Sequence, residues 1–120
     1  MPRYPQNTLI LECESFVGFM PVDVRQWLKE HCTESTLAEV MAAVSNKVGE
    51  LCHEADETDD PWIDYAVEEW WELYLELFDE IRAAMGETYD PAIRGSHYAI
   101  QPFMEQNGFR DGSGWWVRKE

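Results

Sequence analysis

The chain has 120 residues, of which 45% are hydrophobic and 13% aromatic, so it can bury the core of one domain. Its 24 acidic and 9 basic residues give a net charge of -15, which disfavours direct binding to nucleic acid or to an anionic membrane surface. The charge favours a positively charged partner instead: a metal ion, a basic ligand or a basic protein surface.

The N-terminal residues lack the apolar core of a secretory signal, and no apolar run approaches the roughly 20 residues of a membrane-spanning helix. We therefore expect a cytoplasmic protein. Cys13, Cys32 and Cys52 form an odd set without paired spacing, so we expect reduced thiols. Cys32 follows His31 and Cys52 precedes His53, which leaves a Cys2His2 zinc site as an alternative, although the paired spacings of zinc modules are absent.

The first predicted element is a strand over residues 8–17. Its first residues have high strand propensity, and the following side chains alternate between two faces. Helical spacing of apolar residues then predicts two helices, over residues 22–31 and 36–54. Thr36 followed by Glu39 predicts a capping box at the start of the second helix. The acidic segment 54–60 after it is predicted to be a loop.

A third helix is predicted to begin at Pro61, with Asp60 as its N-cap and Gly86 near its end. Its apolar residues cover more than half of its circumference, which predicts contacts on two sides. Asn107 and Gly108 indicate a turn, and residues 115–119 have strand composition.

Pairing the C-terminal strand with the N-terminal one would give each strand a hydrogen-bonding partner. We therefore predict one domain over residues 1–120 with an α+β fold. About three helices would pack on a small antiparallel sheet formed by the N- and C-terminal strands, and a mainly α bundle is the alternative.

The acidic residues are concentrated between residues 50 and 80, where there are thirteen carboxylates and no Lys or Arg. Glu68, Glu72 and Glu76 recur every four residues and form a ridge about 12 Å long, which Asp79 and Glu80 follow. Like charges at this spacing destabilise a helix by about 0.2–0.5 kcal/mol per pair, and no basic residue of the segment offsets the repulsion. Either the ridge meets a cationic partner, or it is a solvated face screened by salt.

A rigid helix with evenly spaced carboxylates beside aromatic side chains can occupy a basic groove in place of nucleic acid. In size, acidity and absence of a catalytic motif, the chain resembles small inhibitors of phages and mobile elements, such as DNA-mimicking anti-restriction and anti-CRISPR proteins. This resemblance implies a non-enzymatic inhibitor that occupies a nucleic-acid-binding surface of a host nuclease. The predicted partner-binding residues are Glu68, Glu69, Glu72, Glu76, Asp79 and Glu80 on the third helix, Asp56, Glu57, Asp59 and Asp60 before it, and Trp70 and Trp71 as aromatic anchors. A homodimer through the broad apolar face of the third helix is a further alternative.

A second resemblance involves two carboxylate pairs, Glu54 with Glu57 and Glu76 with Asp79, which fit the pattern ExxE…ExxD. This pattern resembles the motif of MazG-like all-α nucleoside triphosphate pyrophosphohydrolases. The resemblance implies a Mg²⁺ site between two helices, since this hard cation prefers oxygen ligands. Two further glutamates of the motif correspond here to residues 46 and 47, which are Asn and Lys. We keep a pyrophosphohydrolase, or an inactive relative of one, as the alternative, and we expect no cofactor and no bound metal.

Overall fold

The computed structural model describes residues 20–31, 33–112 and 116–119. Its helices are α1 (Pro21–His31), α2 (Glu34–Glu57), α3 (Pro61–Ala84), a 3-10 helix (His97–Ile100) and α4 (Gln101–Gln106). Strands β1 (Phe109–Asp111) and β2 (Trp116–Arg118) pair antiparallel, with Phe109 opposite Arg118. The fold therefore combines helices with a small antiparallel sheet, as predicted, although helix is so dominant that the mainly α description also fits.

The C-terminal strand has a partner that was not predicted. Residues 8–17, where the N-terminal strand is predicted, lie outside the described residues. In the described part β2 pairs with β1, and the two strands bury Phe109 and Trp116 in the core. The sequence analysis did not predict β1 because three residues are too few to show an alternating pattern.

The start of α2 also differs from the prediction. Thr33 is the N-cap: its hydroxyl accepts a hydrogen bond from the Thr36 N–H at 3.1 Å, and the Thr36 hydroxyl accepts one from the Thr33 N–H at 2.8 Å. The predicted capping box of Thr36 and Glu39 is therefore wrong, because both residues lie inside the helix. Glu39 is buried, its Oε1 lies 3.7 Å from Nη2 of Arg118, and desolvation raises its pKa.

The connection between α2 and α3 is shorter than predicted, because α2 continues to Glu57 and leaves only residues 58–60 between the helices. Asp60 caps α3 as predicted, since its Oδ1 accepts a hydrogen bond from the Trp62 N–H at 2.9 Å. A connection this short makes α2 and α3 antiparallel neighbours. At the other end of α3, Gly86 has φ 79 and its N–H donates to the Ala83 carbonyl at 3.0 Å, which confirms its terminating role.

We expect Asp60→Ala to lower the free energy of unfolding by about 1 kcal/mol, because the Trp62 N–H loses its acceptor. Asp59→Ala is the matched control: it removes the same charge one residue earlier, from a side chain with no hydrogen-bond partner among the described residues. The free energy of unfolding of Asp59→Ala should stay within about 0.5 kcal/mol of that of the parent protein. Urea unfolding of both variants, followed by circular dichroism, measures the difference, and equal effects would contradict the capping role.

The core lies between α2 and α3, with α1 packed across both helices, β2 against α2 and the 3-10 helix against α3. The buried residues of α3 begin at Trp70, whereas every residue from 61 to 69 is exposed or half-buried. The C-terminal two thirds of α3 thus form the core contact. In the first turns of α3, Ala66 and Val67 pack against the edge of the core, and the remaining side chains are turned more toward solvent. We call this end of the helix pair, residues 52–69, the hairpin tip. Within the described ranges, no helix is long and apolar enough to cross a bilayer.

Candidate functional site

The carboxylates predicted for the third helix lie along one side of α3. Glu68, Glu72, Glu76 and Glu80 are exposed, while Glu69 and Asp79 are half-buried. The exposed Asp64, one turn before Glu68, extends the same line toward the hairpin tip. We call these seven residues, Asp64, Glu68, Glu69, Glu72, Glu76, Asp79 and Glu80, the acidic face.

Two arginines from outside the acidic segment neutralise part of the acidic face. Arg25 of α1 donates from Nε to Glu76 Oε1 at 2.8 Å and from Nη2 to Glu76 Oε2 at 2.6 Å. Arg94, which follows α3, donates from Nη2 to Asp79 Oδ2 at 2.7 Å. The repulsion predicted within the segment is therefore partly offset at this end by two residues from outside it. The partners lie 51 and 15 residues apart in sequence, so only the packing of the helices reveals them.

We expect Arg25→Gln to lower the free energy of unfolding by less than about 1 kcal/mol at neutral pH, because the ion pair is partly exposed to water. The hydrogen bond from Arg25 lowers the pKa of Glu76 below its usual 4.5. The pair therefore stabilises the fold at a pH above 4.5, and this contribution is lost as the pH falls through the lower folded-state pKa.

Urea unfolding of the parent protein and of Arg25→Gln at several pH values measures this effect. The difference between them should shrink to nothing in strong acid. Lys29→Gln is the matched control, because Lys29 is an exposed cation of the same helix with no ion pair among the described residues. A difference for Arg25→Gln that persists unchanged in acid would contradict the pairing with Glu76.

In the half of the acidic face nearer the start of α3, no carboxylate has an ion pair among the described residues. Asp64, Glu68 and Glu72 have no ion pair with any described residue. Glu69 accepts a hydrogen bond from the Tyr65 hydroxyl, and this bond raises the pKa of Tyr65. The negative charge that remains available to a partner is therefore concentrated toward the start of α3.

The four acidic residues predicted to precede the third helix are all exposed at the hairpin tip. Asp56 and Glu57 belong to the last turn of α2, whereas Asp59 and Asp60 lie in the connection. Glu57 Oε1 contacts His53 Nε2 at 2.9 Å, and the last turn contains no Lys or Arg. A helix C-terminus carries partial negative charge, so Asp56 and Glu57 are placed unfavourably unless a cation approaches, whereas Asp60 lies at the N-terminus of α3, where a carboxylate is favourable.

The structure separates the two predicted aromatic anchors. Trp70 is 3% exposed and belongs to the core, so only Trp71, at 42%, reaches the surface, where its ring stacks on Tyr74 at 4.9 Å between centroids. The most accessible aromatic side chains of the hairpin tip are Trp62 and Tyr65, at 78% and 49% exposed. These two rings were not predicted as anchors, because apolar residues cover so much of the third helix that their spacing does not distinguish exposed rings from buried ones. They precede Trp70, the first buried residue of α3, and this position distinguishes them from the buried aromatic residues of the helix.

The structure does not bring the four carboxylates of ExxE…ExxD together. Glu54 and Glu57 lie in the last turns of α2, next to the connection. Glu76 lies fifteen residues after Pro61, about 22 Å along the axis of α3. In an antiparallel pair this distance places Glu76 and Asp79 opposite the first half of α2.

Two of the four ligands of the zinc alternative, Cys32 and the side chain of His31, lie outside the described part. Cys52 is an exposed free thiol. Within residues 20–31, 33–112 and 116–119, no three side chains of His, Cys, Asp or Glu lie together in a way that could hold a metal ion.

No protein-family model, no curated protein and no solved structure matches this chain. The fold and the surface define a class in physical terms only: a predominantly helical α+β domain with an acidic hairpin tip that carries exposed aromatic rings.

Proposed function

We propose that the protein binds a basic surface of another protein through the acidic face and the hairpin tip, and that it acts as an inhibitor without enzymatic activity. The observation that supports this proposal is the row of exposed carboxylates Asp64, Glu68 and Glu72, which have no ion pair with any described residue. The exposed ring of Tyr65 lies close to Glu68 and Glu72, and the exposed ring of Trp62 lies in the first turn of the same helix. The surface we propose as the target is the nucleic-acid-binding site of a nuclease, in keeping with the resemblance to DNA-mimicking inhibitors of phages and mobile elements.

The spacing of the carboxylates shows how much of the charge of a DNA strand the row can reproduce. Successive members of the row are four residues apart, or about 6 Å along α3, whereas one DNA strand carries a phosphate about every 3.4 Å. The row therefore has roughly half the linear charge density of a DNA strand. Aromatic side chains can supply the remaining affinity, because Trp and Tyr are enriched among the residues that dominate binding energy at protein interfaces.

The hairpin tip adds a second argument. Carboxylates near the C-terminus of a helix oppose its dipole by about 0.3–1 kcal/mol each, and Asp56 and Glu57 occupy such positions in α2. A cationic partner would turn this unfavourable arrangement into a favourable one. The cost in the free protein would then be recovered on binding.

Binding to a panel of basic nucleases, measured by pull-down at rising salt together with inhibition of DNA cleavage, tests the proposal. The double variant Glu68→Lys and Glu72→Lys should bind at least about tenfold more weakly, because it reverses the charge of the row. The matched control is Glu30→Lys with Glu87→Lys, which changes the net charge equally at exposed positions outside the acidic face. The control variant should lose less than about threefold in binding affinity.

Equal losses in both double variants would show that total charge alone drives binding, and no loss in either would remove the proposal. Binding by the parent protein should also weaken as salt increases, since exposed charges are screened over about 10 Å at 0.1 M. Salt-independent binding would contradict a role for the acidic face.

A further inference from the structure

A shallow groove of about 440 Å³ lies between the start of α1 and the first turns of α3. Met20 and Val22 line it from the α1 side, Trp62 and Tyr65 from the α3 side, and the buried Trp70 also contributes. The first four side chains are exposed. A contiguous set of large exposed apolar side chains on a protein of this size is a frequent sign of a binding surface.

The charge around this groove is negative. Glu69 lines it directly, and the acidic face continues from there through Glu68 and Glu72. Arg25 is the one cation among the described lining residues, and both oxygens of Glu76 hold its guanidinium. The groove therefore presents an apolar floor with an acidic border, and its complement is an apolar stripe flanked by cations.

We propose that this groove binds an amphipathic helix of the partner protein, with apolar side chains in the groove and Lys or Arg side chains beside the acidic face. The inference rests on the proposed function and specifies the kind of segment that the partner supplies. A helix suits the groove because it can present apolar side chains at positions i, i+3 or i+4 and i+7 along one face, in the helix-in-groove mode of peptide recognition. Its cations would then lie along the same direction as the row of carboxylates on α3.

The test uses the full chain and two labelled synthetic peptides of 18 residues, and it measures binding by fluorescence anisotropy. The first peptide is a helical sequence of Leu and Lys with all Leu on one face, and the second has the same Lys positions with Ser in place of Leu. We expect the Leu peptide to bind at least about tenfold more tightly than the Ser peptide, because only it can fill the groove.

The double variant Met20→Ser and Val22→Ser should lose this preference while it keeps its affinity for the Ser peptide within about twofold. Both side chains are exposed, so the variant should fold, which circular dichroism and the melting temperature would verify. Tyr98→Ser is the matched control: Tyr98 is also exposed, and it belongs to the 3-10 helix near Arg82, about 30 Å along α3 from Trp62. This control should retain the full preference.

Equal binding of the two peptides, or an unchanged preference in the groove variant, would overturn the groove inference. The proposed function would still stand in that case if Glu68→Lys with Glu72→Lys weakens the binding of both peptides. Failure of that charge reversal to weaken either peptide would remove both proposals. If the free protein sediments as a dimer and the groove variant as a monomer, a second copy of this chain occupies the groove, which also overturns the inference.

Discussion

We expect Trp70→Ala to lower the free energy of unfolding by about 3–5 kcal/mol, the range seen when a large aromatic side chain is removed from a core. Trp70 is the first buried residue of α3 and packs into the main cluster between the helices. The substitution would leave a cavity that the surrounding helices can fill only in part. Urea unfolding followed by circular dichroism measures the loss.

The neighbouring Trp71 provides a matched control, because Trp71→Ala removes a side chain of the same type from a partly exposed position. Its expected cost is about 1–2 kcal/mol, mainly from the lost stacking on Tyr74 and the lost contact area. Similar losses in the two variants would contradict the assignment of Trp70 to the core and Trp71 to the surface. The comparison also shows which variant is unsuitable for the binding experiments, since weaker binding by Trp70→Ala would reflect loss of folded protein.

The second large effect concerns Gly95, which lies in the connection between α3 and the 3-10 helix with φ 88. We expect Gly95→Ala to lower the free energy of unfolding by about 1–3 kcal/mol, because a side chain in this backbone region is strained. The added Cβ would also lie 3.2 Å from Cδ2 of Leu75. In addition, the Gly95 carbonyl accepts a hydrogen bond from the buried Tyr74 hydroxyl at 2.9 Å, so any shift of the backbone disturbs a buried polar contact.

Gly49→Ala is the control for this prediction, and its expected effect has the opposite sign. Gly49 lies inside α2, and a Cβ at this position would meet nothing within 4 Å. Alanine should therefore stabilise the protein by about 0.5–1 kcal/mol, because it restricts the unfolded chain and favours the helix. Thermal unfolding of both variants measures the contrast. Stabilisation by Gly95→Ala would mean that the connection adopts a different backbone conformation from the one described.

Local signals in the sequence predicted the helices well. The predicted span 22–31 differs from α1 by one residue, and Asp60 and Pro61 mark the start of α3, because helical spacing and caps are properties of neighbouring residues. The end of α2 was predicted too early because the acidic run resembles a loop in composition. Glu, Ala and Asp continue the helix there as far as Glu57.

The candidate site was less predictable, because it depends on which side of α3 meets α2. Trp70 and Trp71 are adjacent, and apolar residues cover so much of α3 that periodicity alone does not assign either ring to the core. The pairing of Arg25 with Glu76 depends on how α1 crosses α3, which no local pattern contains. The acidity of the segment was visible in the sequence, whereas its partial neutralisation was not.

The uneven placement of charge along the helix pair has a consequence for the free molecule. Seven carboxylates and no Lys or Arg occur between residues 50 and 64, around the hairpin tip. Arg118 contacts Glu39 in the second turn of α2, about 27 Å along that helix from Glu57, and Arg82 lies near the far end of α3. The protein therefore has a permanent electric dipole along the helix pair. Near a cationic surface this dipole generates a torque that turns the hairpin tip toward that surface before any side chain makes contact.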